Sequence, residues 1–117
     1  MADSVYENIR SSRVRGTAVY NPAGERLGAI DDLVIGKRDG MVKYAIMSFG
    51  GFLGMREEYY PVPWDMLSYD ADKGGYVADL TKEKLTDSPR FNRGDEPNWT
   101  DPAFGRRIDD HYGSPPI

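Results

Sequence analysis

The chain has 117 residues, a net charge of −4 and 39% hydrophobic residues, which suits one domain around a single modest core. With no cysteine it has no disulfide framework, no thiolate nucleophile and no cysteine-based zinc site, and its acidic balance disfavours long-range attraction to nucleic acid or anionic lipid. Thirteen glycines, eight prolines and eight tyrosines fit a turn-rich β structure better than a helical bundle.

Residues 1–12 read as a polar leader in which Val5 and Ile9, four apart, could anchor one helical turn. The leader lacks the basic and apolar regions of a signal peptide, and no apolar run approaches the roughly 20 residues needed to cross a bilayer, so the expected location is the cytoplasm. Strand signals begin at Val14, with Val14, Ala18 and Tyr20 on one face and Arg15, Thr17 and Val19 on the other. Asn21-Pro22-Ala23-Gly24 is a turn. Arg26 to Lys37 forms a long second strand in which Gly28 and Asp31-Asp32 mark a bulge or sharp bend. Arg38-Asp39-Gly40 turns the chain into a third strand, Met41 to Phe49, apolar on both faces near its end.

A glycine-hinged loop at 50–54 precedes a fourth strand, Glu58 to Val62, and Pro63 to Leu67 reads as a single helical or 3₁₀ turn. Leu67 to Tyr69 and Tyr76 to Leu80 pair around Asp70-Ala71-Asp72-Lys73-Gly74-Gly75. The expected whole is an all-β antiparallel meander curled into a small barrel, which removes exposed edges. Beyond it, Thr81 caps a short helix through Leu85, stopped by Pro89, and residues 92–100 are polar and irregular. Asp101-Pro102 starts a second helix whose stripe Phe104, Ile108 and Tyr112 ends at Gly113.

Four segments carry a family resemblance: Tyr20 to Gly28, Ile30 to Ile35, Gly50-Gly51-Phe52-Leu53-Gly54-Met55, and Val62-Pro63-Trp64. Over roughly residues 13–91 the chain resembles a PRC-barrel domain, the small β-barrel named for the photosynthetic reaction centre, whose H subunit carries one. A related barrel forms part of a ribosome-maturation factor. The resemblance implies a domain that docks on macromolecular partners. The reaction-centre subunit's membrane helix and the maturation factor's N-terminal domain have no counterpart here, so neither partner transfers. Residues 92–117 then form a tail whose helix packs on the barrel or on a partner subunit; it resembles tails of small stand-alone bacterial members.

The candidate chemistry is thin. His111, the one histidine, lies near a helix end and reads as solvent-facing, since Asp109 and Asp110 are at spacings that do not face it. The loop from Asp70 starts like a calcium-binding EF-hand, but Gly74 and Thr81 stand where an oxygen ligand and the bidentate glutamate belong, so it reads as a hairpin turn. Asp31-Asp32 and Glu57-Glu58 are adjacent on strands, point to opposite faces and cannot share a proton as a catalytic dyad does. Glycines 50, 51 and 54 lack the Gly-Lys-Ser/Thr ending of a phosphate loop. Trp64 reads as a plug for the barrel mouth.

These readings leave no expected catalytic residue, metal ligand or cofactor. The expected function is a non-catalytic protein-interaction or scaffolding module, with an RNA-processing or ribosome-maturation accessory that binds a ribosomal component as the alternative. The candidate interaction surface is Phe52 and Leu53 at an apolar loop tip, Trp99, and the stripe Phe104, Ile108 and Tyr112. The expected partner is a protein, including a second copy in a homodimer, with no membrane insertion and no nucleic acid.

Overall fold

The computed structural model describes residues 8–48 and 58–113. Among these residues, seven strands form one sheet, with three short helices and a 3₁₀ turn. In chain order the elements are α1 (Ser11–Val14), β1 (Ala18–Tyr20), β2 (Arg26–Ile35), β3 (Val42–Ser48), β4 (Glu58–Pro63), the 3₁₀ turn Trp64–Met66, β5 (Leu67–Asp70), β6 (Gly75–Ala78), α2 (Lys82–Thr86), β7 (Phe91–Asn92) and α3 (Pro102–Tyr112). Across the sheet the strands run β5-β6-β1-β2-β3-β4-β7.

Two expectations are corrected. Val14 is buried from a helical turn, not from a strand, and the strand starts only at Ala18. Gly16 separates them at φ +86°, a left-handed conformation that interrupts extended backbone. The sheet is also not a pure meander, because β1 pairs with β6 in parallel, Val19 beside Tyr76. The remaining pairings are antiparallel. The expected helical turn at Val5–Ile9 falls mostly outside the described residues, and a two-residue strand, β7, stands where irregular chain was expected.

The bend expected in β2 is present as two bulges in that strand, and a third register shift falls at Val34/Ile35 against β3. On the β1 side, Val19 opposes Gly28 and Tyr20 opposes Arg26, leaving Leu27 as the extra residue. On the β3 side, Ile30 opposes Met47 and Asp32 opposes Ile46, leaving Asp31 unpaired. Each bulge bends the strand and adds twist. The Asp32 carboxylate accepts from the Leu33 amide at 2.8 Å, and the Asp31 carbonyl accepts from Arg15 Nε at 2.9 Å.

The sheet has to curl. β4 and β5 lie five strand steps apart, roughly 24 Å in a flat sheet at ordinary strand spacing. Only the three residues Trp64–Met66 join them, and a 3₁₀ turn of that length advances about 6 Å. The curl brings inward side chains from β1, β2, β3, β4 and β6 onto one core: Val19, Leu27, Ile30, Ala45, Met47, Tyr60, Val62, Tyr76 and Ala78, closed by Leu80 and by Leu85 of α2. Trp64 is half-buried against this core, with its ring edge-on to Tyr76 at 5.4 Å.

Close strand approach fixes two glycines, Gly28 against the Ser48 carbonyl oxygen and Gly75. A methyl group on Gly75 would collide with the Ala18 carbonyl oxygen across the β1–β6 pair. Because that obstacle is backbone, Gly75→Ala is expected to cost about 1–3 kcal/mol by urea unfolding, as overpacked sites do. A wild-type midpoint would mean that β1 and β6 approach less closely than described.

Candidate functional site

The segment after α2 builds a second layer on the β3–β4 side of the sheet. α3 is well specified locally. The Asp101 side chain accepts from the Ala103 amide at 3.0 Å, Pro102 occupies the first turn, and Gly113 closes the helix at φ +70°. Ile108 is fully buried and Tyr112 packs against the core, so the apolar stripe is covered by the chain's own sheet. Trp99 sits between three rings, with centroids 6.3 Å from Tyr44, 5.8 Å from Phe91 and 5.7 Å from Phe104. Phe91 in turn stacks on Tyr59 at 5.5 Å. The indole therefore joins β3, β7 and α3.

Of the six residues expected at an interaction surface, Trp99, Phe104, Ile108 and Tyr112 are gathered in this layer. Phe52 and Leu53 lie outside the described residues. Phe104 is half-buried and carries the Arg107 guanidinium over its ring at 5.3 Å.

Polar ties accompany the rings. Tyr44 of β3 donates to the Asp109 carboxylate of α3 at 3.1 Å. Asp109 is buried, and burial raises its pKa; the Tyr44 hydrogen bond opposes the rise, while the charges of Asp110 and Asp65 add to it. Burial, reinforced by the Asp109 charge, pushes the Tyr44 phenol up to about 12. Burial likewise takes Tyr112 to about 12, a rise that the neighbouring Ser88 hydroxyl opposes. The Ser88 hydroxyl donates to the Leu85 carbonyl at 2.6 Å and keeps its lone pairs toward Tyr112. His111 is half-exposed beside the helix end, and its Nε2 lies 2.8 Å from the Lys84 carbonyl, which assigns the proton to that nitrogen and ties α3 to α2. Arg90 donates to Glu58 at 2.8 Å and to the Thr86 carbonyl at 3.1 Å, holding β7 beside β4.

Between the α2–β7 connection and α3 lies an open groove of about 800 Å³. Phe91, Pro97 and Phe104 give it apolar lining; Arg90, Arg107, Asp87, Asp95 and Asp110 give it charge of both signs. Elsewhere the candidate chemistry has turned into structure. The Asp70 carboxylate accepts from the amides of Asp72 and Lys73 at 3.0 and 3.3 Å, an Asx turn within the β5–β6 hairpin. No group of three metal-ligating side chains occurs among the described residues.

The family model for the PRC-barrel domain matches residues 7–85 of this chain. The chain belongs to the PRC-barrel family. A protein of Deinococcus radiodurans described as uncharacterised is 27% identical over 76 residues, which is 65% of this chain and 27% of that protein. The chain thus spans about a quarter of that relative's length. The PRC-barrel match stops before β7, so the groove, Trp99 and α3 lie beyond it.

Sequence reading missed the Tyr44–Asp109 pair. Its one signal is Gly105, four residues before Asp109 on the same helix face: a mid-helix glycine costs about 1 kcal/mol relative to alanine. Here it lets the Tyr44 hydroxyl approach the helix backbone, where a methyl group would press on that oxygen. The test of the layer as a whole is Trp99→Ala. It should cost about 3 kcal/mol in denaturant melts and expose residues 93–113 to limited proteolysis before the sheet is cut. Simultaneous cleavage throughout the chain would show that the layer is not separately anchored.

Proposed function

We propose that the protein is a non-catalytic interaction module that docks a polypeptide segment in the groove between β7 and α3. The observation that carries this reading is the groove's lining, where exposed side chains of both charges accompany Phe91 and Phe104. Such a surface suits a chain that offers side chains of both signs around an apolar anchor, the usual build of a protein contact. The core is filled by the protein's own side chains, which leaves the outer surface for binding. Closure of the curled sheet into a complete barrel is part of the same reading, supported by the short link between β4 and β5. So is a cytoplasmic setting, with which the absence of a long apolar helix among the described residues is compatible.

The test is a photo-crosslinking side chain at Arg107, with a control at Tyr69 on the opposite edge of the sheet. Docking in the groove predicts a single partner species at position 107, crosslinked through one contiguous segment, and none at 69. Equal adducts at both positions would reject the groove.

Self-association belongs to the same proposal, now through this groove or the segment containing Phe52 and Leu53, because Ile108 is already covered. Sedimentation equilibrium at micromolar concentration should give twice the chain mass; a monomer would discard the dimer. One feature favours an RNA-binding reading as second: Lys and Arg outnumber Asp and Glu across residues 8–48, whereas acids dominate residues 58–113. RNA affinity that falls steeply with salt, and weakens in Arg13→Ala and Arg38→Ala, would favour that reading over the groove.

A further inference from the structure

α3 carries two polar groups inward with little compensation. Asp109 is 8% exposed, and its described side-chain partner is the neutral Tyr44 hydroxyl. One turn on, the Tyr112 hydroxyl is enclosed, with the Ser88 hydroxyl as its polar neighbour. A buried carboxylate normally persists against a cation or several amide donors, since one neutral hydroxyl replaces only part of its lost hydration. An 11-residue helix of this kind also depends on tertiary packing for its existence. Any weakness in its seat therefore becomes a weakness of the whole layer.

The groups that bear on Asp109 are Tyr44 from β3, Asp65 from the 3₁₀ turn and Asp110 from α3 itself. β4, also packed beneath the helix, brings Glu58 to Arg90 and Tyr60 toward Tyr112. α2 meets the helix through the Lys84 carbonyl, which accepts from His111. The two charged groups acting on Asp109 are thus both acids, and they oppose its ionisation.

We infer that α3 is a proton-operated clasp: with Asp109 neutral the helix seats firmly on β3 and β4, and with Asp109 ionised it opens more readily and uncovers the Trp99–Phe104 face. A neutral carboxyl costs less to bury and still accepts from Tyr44, so protonation strengthens the seat without rearranging it. The sign follows from linkage. Seating raises the pKa of Asp109 above its ordinary value of 3.8, so the seated helix holds the proton more tightly than the open one. The extra stability is complete below the ordinary value and is lost as pH rises through the raised one. Opening would remove the α3 wall of the groove proposed above for docking, so the clasp would regulate that reading's site. It does not need that partner, because opening is read in the isolated protein.

The experiment is hydrogen exchange by mass spectrometry on the peptide covering 102–112, between pH 4.5 and 7.5, corrected for intrinsic exchange rates. In wild type the opening constant should be on the order of threefold or more larger at pH 7.5 than at pH 4.5. In Asp109→Asn, which keeps the acceptor for Tyr44 but cannot ionise, that slope should vanish; the comparison cancels contributions from the rest of the chain. Asp65→Asn should reduce the slope, and Tyr44→Phe should raise opening at neutral pH while keeping it. A flat wild-type profile, or an equal slope in Asp109→Asn, overturns the clasp. If Asp109→Asn fails to fold, an Asp65→Asn slope identical to wild type overturns it as well. Normal pH-dependent opening without any crosslinked partner would discard the docking reading and leave the clasp standing.

Discussion

Three residues, Trp64–Met66, hold this molecule in its shape. They join strands at opposite sides of the sheet, and a connection that short leaves the sheet no flat alternative. The other specialised features serve the same requirement. Bulges at Leu27 and Asp31 supply local bending, Gly75 lets β6 lie close on β1, and Trp64 covers the edge of the core where the link crosses. Because β1 meets β6 in parallel across a large sequence separation, the curl is completed only when both ends of the domain are present. Loop closure of that kind is an entropy cost that short hairpins avoid.

The layer formed by β7 and α3 follows a different logic. Its attachment is a chain of rings running from Tyr59 through Phe91 and Trp99 to Phe104, supplemented by ties that are individually modest. The other strands are held by longer ladders, whereas β7 has two residue pairs with β4 and α3 is held by a few contacts centred on one indole. Family membership speaks for the sheet, since the matched residues end before the layer begins. Family properties therefore bear on how the chain folds more than on what the groove binds.

What was legible in the sequence is what local chemistry determines. The caps of α2 and α3 were readable because Thr81 and Asp101 accept from amides two or three residues away. The hairpins at Asn21–Gly24 and Asp70–Gly75 were readable because Asn and Asp side chains mimic turn hydrogen bonds within a few residues. The β1–β6 pair was not, since nothing in either short strand names a partner more than fifty residues away. The partners of His111 and Asp109 were missed for the same reason: the Lys84 carbonyl and the Tyr44 hydroxyl are distant in sequence. The gathering of Trp99, Phe104, Ile108 and Tyr112 was foreseeable from their apolar character, though not which surface would receive them.

The two bulges of β2 have a consequence for how the protein behaves when partly open. Leu27, Ile30 and Leu33 all face or flank the core at intervals of three, a spacing that regular alternation along a strand cannot produce. A strand with this rhythm presents an interrupted row of amides and carbonyls if β1 or β3 lifts away. A second extended chain cannot add to it in register without leaving groups unpaired. The irregularity that shapes the native sheet thereby also makes its longest strand a poor template for intermolecular β growth.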